Sequence, residues 1–269
     1  MEPYNVKVIT FPDCSRQYRV YKHVVEYRSG PRHRYHNPFN DDLADEILCD
    51  FSEHFDRVQT VSFLRTQQKI YDYARCNDWD YFVTFTFSKE KVDRYDYDSC
   101  VSKLSQWLKN LRKRSPCLSY LVVPEQHKDG AWHFHGLVSG LADSEVVWSG
   151  RYVCQKVRGP GRTRFRMTDR KIFKIGSYRL GWMTATEIVD KKRVVKYITK
   201  YVTKDMMSGL FGRKRYWVSR NLLLPTSETY MLDLIDRDIL CRELLEDCSY
   251  HVESQSNDFT TQKVDIFDL

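Results

Sequence analysis

The chain is 269 residues long, 42% hydrophobic and 14% aromatic, with a formal net charge of +7. That length buries a sizeable core in one domain with extensions, or in two small ones. No run of about 18 apolar residues is present to span a bilayer, and Met1-Glu2-Pro3-Tyr4-Asn5 lacks the charged-then-apolar pattern of a secretion signal, so a cytoplasmic protein without a membrane role is expected. The eight cysteines include no Cys-x-x-Cys pair, which argues against a zinc ribbon or a small disulfide framework and for reduced thiols.

Charge is strongly segregated. Residues 151–220 hold 20 basic and 4 acidic side chains, whereas 221–269 hold 3 basic and 11 acidic ones. A polyanion-binding surface in mid-chain followed by an acidic segment is the expectation.

In chain order, residues 1–60 carry little signal beyond a strand-like alternation from Tyr18 to Tyr27 and a loop from Gly30 to Pro38. His33 and His36 in that loop read as surface residues or phosphate contacts rather than a second metal site. Asp56 to Asn77 reads as an amphipathic helix through Val61, Leu64, Ile70 and Tyr73. Asp80 to Ser88 is the clearest strand, with Phe85 and Phe87 on one face and Thr84 and Thr86 on the other. Tyr95 to Arg114 then predicts a helix, with Val101, Leu104, Trp107, Leu108 and Leu111 on one side and Pro116 as its stop.

Leu121-Val122-Val123-Pro124-Glu125 and Trp132-His133-Phe134-His135-Gly136-Leu137-Val138 read as paired strands around Lys128-Asp129-Gly130. His-X-His on a strand puts both imidazoles on one face. A two-residue loop sets Gln126 opposite His133; a three-residue loop with a glycine bulge sets Glu125 there, and the second register is the one expected. Glu125, His133 and His135 then form an N,N,O donor set with open positions, which suits catalytic Mn²⁺ or Mg²⁺ better than a closed structural zinc.

From Gly150 to Lys174 the chain turns glycine-rich and basic, with Tyr152, Phe165 and Phe173 interleaved. Cations that meet phosphates and rings that stack on bases are what a single strand needs, which makes Arg158, Arg162, Arg164, Arg166, Lys171 and Lys174 candidate DNA contacts; a solvated surface insertion is the competing reading. Gly181 to Val189 is a further strand and Asp190 a helix N-cap. In a helix from Lys191 to about Met206, Tyr197, Lys200, Tyr201 and Lys204 fall within one 100° arc beside an apolar arc of Val194, Val195, Ile198 and Val202. The acidic segment reads as a helix from Ser227 to Asp247, for docking a partner or for solubility.

On Phe82-Val83-Thr84-Phe85-Thr86-Phe87, His133-Phe134-His135 with Glu125 upstream, and Tyr197-x-x-Lys200-Tyr201-x-x-Lys204, the sequence resembles the HUH endonucleases. The likeness is to rolling-circle initiators of small single-stranded DNA phages and plasmids, in their two-tyrosine, microvirus-like form. The resemblance spans about residues 78–206. It implies an α+β fold with a central antiparallel, ferredoxin-like sheet of about five strands. It also implies a 1–77 extension, a 78–210 endonuclease domain and a 211–269 C-terminal segment. Its chemistry is attack by Tyr197 or Tyr201 on a metal-bound phosphodiester, helped by Lys200 or Lys204, which leaves a 5′-phosphotyrosine and a 3′-hydroxyl primer. The two tyrosines alternate, and their order is open. Origin single-stranded DNA, a host polymerase and, because no phosphate-binding Gly-x-x-x-x-Gly-Lys-Ser/Thr loop is present, a host helicase are the implied partners, in the cytoplasm of a bacterial cell. A transposase or relaxase with the same chemistry, a hydrolytic metalloenzyme and a non-enzymatic single-strand binder are the alternatives.

Overall fold

The computed structural model describes residues 2–26, 62–159, 162–201, 210, 213–254 and 264–269, with the side chains of 156–164 and 254 left out. The fold is α+β, with two antiparallel sheets of five and seven strands. Contacts divide the chain into one unit of Met1–Ser62 with Leu224–Leu269 and a second of Phe63–Leu223, a division placed differently from the expected boundaries at 77 and 210.

The first unit contains β1 (Tyr4–Thr10), β2 (Arg16–Val25), β10 (Thr226–Tyr230), α4 (Leu234–Asp247), β11 (Tyr250–Ser254) and β12 (Val264–Asp268). Its sheet order is β10-β1-β2-β12-β11, so both ends of the chain build one sheet. Val6, Val20, Leu244 and Phe267 form its small core. The acidic helix expected from Ser227 begins only at Leu234, capped by Asp233, because Thr226–Tyr230 pairs with β1 instead.

The second unit contains α1 (62–76), β3 (Tyr81–Phe87), α2 (Tyr97–Arg114), β4 (Ser119–Gln126), β5 (Trp132–Ser139), β6 (Val146–Gly159), β7 (Arg162–Ile175), β8 (Gly181–Glu187), α3 (Lys191–Lys200) and β9 (Trp217–Val218). The sheet order is β6-β7-β8-β3-β5-β4-β9. Seven strands stand where five were expected, because the basic segment pairs with itself as the β6/β7 ribbon and Trp217–Val218 adds a short edge strand to β4.

Period-two alternation divides the inner strands cleanly. Val83, Phe85, Phe87 and Phe134 are buried on the face carrying α2, with Phe85 5.4 Å from the Trp107 ring and Phe87 5.8 Å from Phe134. Each such ring contributes roughly 1.5–3 kcal/mol of hydrophobic stabilisation. The helix starts at Asp96, whose carboxylate accepts from the Ser99 N–H, and supplies buried Leu104, Trp107, Leu108 and Leu111. Since that face is sealed by apolar packing, Thr84, Thr86, His133 and His135 are left on the other. Among the described residues no helix is long and apolar enough to cross a membrane, and the described cysteines are free thiols.

Candidate active site

The β4/β5 hairpin sets the register of the site. Glu125 pairs with His133 and Gln126 with Trp132, while the His127 N–H donates to Ala131 O and the Gly130 N–H to His127 O. That leaves the three-residue loop with Gly130 at φ +84°, a conformation open to glycine without the penalty a side chain incurs. Gly136, next to His135, matters for a different reason: a Cβ there would stand 2.9 Å from Leu121 O and 3.1 Å from Val83 Cγ2, so only glycine lets the neighbouring strands close around the histidines.

Three strands place the polar groups. Thr86 is opposite His133 and Thr84 opposite His135, and their hydroxyls lie 3.1 Å from the respective Nδ1 atoms. With Nδ1 held, Nε2 of His135 meets Glu125 Oε2 at 2.7 Å. Burial, then His127 and His135, pushes His133 down to about 4, and burial also lowers His135 despite the Glu125 hydrogen bond. Both rings are therefore neutral at pH 7, the form that ligates metals. Sequence reading missed His127, whose ring stacks on His133 at 3.6 Å and whose Nε2 lies 3.6 Å from Glu125 Oε2; its place two residues beyond Glu125 was the available signal. Among the described residues no group of three or more His, Cys, Asp or Glu is spaced to hold a metal ion as the side chains stand. The Glu125–His135 hydrogen bond engages the atoms that would be donors.

Helix α3 brings in the phenols. Asp190 caps it by accepting from the Arg193 N–H at 2.9 Å, and Val195 and Ile198 are buried. Tyr201, just past the last helical residue, stacks on His135 with centroids 3.8 Å apart and planes 12° from parallel. Its hydroxyl donates to the Tyr197 hydroxyl at 2.6 Å, and both rings lie against Phe82, at 6.3 and 5.3 Å. Burial first, and then the hydrogen bond with Tyr197, pushes the Tyr201 phenol upward. Tyr197 is 48% exposed. Lys200 closes α3 as an exposed side chain; Lys204 and Val202 lie outside the described residues.

The remaining candidates are scattered along the ribbon. Lys174 lies over the Trp182 ring at 4.7 Å and Lys171 over the Trp148 ring at 5.9 Å; being three residues apart on one strand, they serve opposite faces. Arg166 is exposed on β7. Arg158, Arg162 and Arg164 pair through their backbones at the ribbon's far end, opposite Thr163, Gly159 and Val157, with side chains outside the description.

Residues 80–206, a little under half of the chain, match the family model of the replication-associated protein ORF2. The match supports a replication-initiator role with DNA binding, and it spans the three strands and the helix that build the site. No curated protein and no solved structure matches the chain.

Proposed function

We propose that the protein initiates replication by nicking single-stranded origin DNA with a tyrosine of α3, leaving a 5′-phosphotyrosine and a 3′-hydroxyl, and later rejoins the ends. The observation that carries this reading is the Tyr201 ring stacked on His135 with its hydroxyl bonded to Tyr197. Two phenols thereby reach the imidazole face from a helix more than fifty residues further along the chain.

A tyrosine with a pKa of about 10 is roughly 0.1% phenolate at pH 7, so the phenol needs help to become a nucleophile. Tyr197 is the better first nucleophile. It is the more exposed ring, and its oxygen accepts the Tyr201 proton, an arrangement that favours its charged form. The Tyr197 oxygen bonds to phosphorus and the P–O3′ bond breaks; in net terms the phenolic proton ends on the departing 3′ oxygen. One diester replaces another, so the reverse joining step needs no nucleotide. Tyr201, kept protonated by its surroundings, is held for the second transfer. Lys200, with Lys204 beyond it in sequence, supplies positive charge toward the phosphate.

The donor set fits a divalent ion: two neutral imidazoles, each fixed through Nδ1 by a threonine, and one carboxylate. Glu125, His133 and His135 would hold Mn²⁺ or Mg²⁺, which as a Lewis acid would polarise a nonbridging phosphate oxygen. Strands β8-β3-β5-β4 with α2 and α3 are the part of the second unit that we assign to the ferredoxin-like HUH core.

Covalent capture tests the proposal. Labelled single-stranded DNA containing the origin, incubated with the protein and Mn²⁺, becomes resistant to denaturant-driven release; chelator and the Tyr197→Phe/Tyr201→Phe pair each abolish this. An adduct that survives the double substitution overturns it.

A further inference from the structure

The row of side chains that carries His133 continues across the sheet to a residue the mechanism has not used. Glu125 pairs with His133, His133 with Thr86, and Thr86 with Trp182. Directly paired residues of antiparallel strands share a face, so Trp182 lies on the face of the imidazoles, two strand spacings or about 9.5 Å from His133. Trp182 is 45% exposed, whereas its strand neighbours Met183 and Ala185 are buried on the other face. An indole left in water on a strand contributes little to a core.

Two cations attend this ring. Lys174 Nζ is 4.7 Å and the Arg151 guanidinium carbon 5.0 Å from its centroid. Arg151 is opposite Ile172, and Ile172 opposite Thr186, which sets both cations on the strands flanking β8 and on the same face. A cation over an exposed ring is held weakly, and both side chains are long enough to swing from the indole to a phosphate. A large flat ring rimmed by mobile cations matches one nucleotide, base on ring and phosphate on cation. The surrounding segment 151–220, with 20 basic and 4 acidic residues, is complementary to a strand of phosphates. The second aromatic-cation group, Trp148 with Lys171, lies on the opposite face and is not part of this row.

We propose that Trp182, with Arg151 and Lys174, is a base-stacking platform that seats one nucleotide of single-stranded DNA beside the His133 row and so places the adjoining phosphate at the phenols. The assignment rests on the nicking reading of that site, and its test is made without the covalent step. Full-length protein carrying Tyr197→Phe and Tyr201→Phe is titrated into a fluorescein-labelled single strand of about 16 nucleotides, and binding is read by anisotropy. Adding Trp182→Ala weakens binding about tenfold, the loss expected for one stacked base, whereas Trp182→Phe keeps most of the affinity.

A single abasic nucleotide, moved along the strand, locates the stacked base. One position weakens binding to the Trp182 protein, and that penalty disappears in Trp182→Ala, because ring and base report one contact. Arg151→Gln and Lys174→Gln each make binding less dependent on salt. The platform is overturned if Trp182→Ala binds within about twofold of its parent, the scale of no lost stack. It is equally overturned if the abasic penalty persists in that variant at every position, or if the Trp182 protein fails to bind the strand. Because tyrosine chemistry is absent from these measurements, a failure of nicking and a failure of the platform are read separately.

Discussion

Substituting Tyr201 by Phe isolates one hydrogen bond. The ring that stacks on His135 at 3.8 Å stays, and only the hydroxyl that donates to Tyr197 at 2.6 Å is lost. A hydrogen bond to a charged acceptor contributes about 1.5–3 kcal/mol and one to a neutral acceptor about 0.5–1.5 kcal/mol. The phenolate of Tyr197 therefore loses roughly 1–1.5 kcal/mol more than the phenol does, equivalent to about one pK unit. If proton loss precedes attack, the first cleavage slows about tenfold. Single-turnover cleavage of labelled origin DNA reads this directly, with Tyr197→Phe measured alongside: Tyr201→Phe forms the first adduct slowly but to completion, and Tyr197→Phe forms little of it. A Tyr201→Phe protein without adduct, beside a Tyr197→Phe protein cleaving at the parent rate, would refute the ordering and the role given to the hydrogen bond.

Thr84→Val keeps the strand shape but removes the hydroxyl 3.1 Å from His135 Nδ1, and Mn²⁺ affinity measured by calorimetry falls about 10- to 100-fold; unchanged affinity contradicts the donor set. Gly136→Ala drives a Cβ to 2.9 Å from Leu121 O and costs about 1–3 kcal/mol by overpacking, seen as a lower denaturant midpoint, whereas an unchanged midpoint shows that the sheet yields there. Although burial opposes it, hydrogen bonds from Ser177 and Arg114 hold the Glu145 carboxyl below its ordinary value. Its depressed folded pKa contributes stability that is present above the unfolded carboxyl pKa and lost as pH falls through the folded one. Glu145→Gln accordingly lowers the melting temperature at pH 7, and the gap from the parent narrows as pH drops below 4.5; a gap constant with pH contradicts this. Asp190→Ala removes the cap of α3 and costs about 1 kcal/mol by chemical denaturation.

The site was more legible in the sequence than the fold around it, because its signals are local. Gly130 after Lys128-Asp129 fixed the hairpin loop and with it the Glu125–His133 register; the period-two split of β3 separated Phe85 and Phe87 from Thr84 and Thr86; Asp190 marked the start of α3. Trp182 went unused because an aromatic on a strand reads as core until its pairing partner is known. The basic segment was read by its glycines, yet Arg162, Arg164 and Arg166 alternate with Thr163, Phe165 and Met167 in the period of a strand, and they lie in β7. The N-terminal sheet was illegible for a different reason. Strand β2 finds its partner in β12, more than two hundred residues away, and no window of sequence holds both.

The central claim is that a phenol of α3 becomes joined to DNA beside the Glu125, His133 and His135 side chains. Tandem mass spectrometry of the peptide cross-linked to origin DNA after one turnover tests it most directly. The account predicts a nucleotide mass on Tyr197, with Tyr201 modified only when a second junction is supplied. A modification on any residue outside α3 and Tyr201 would contradict it.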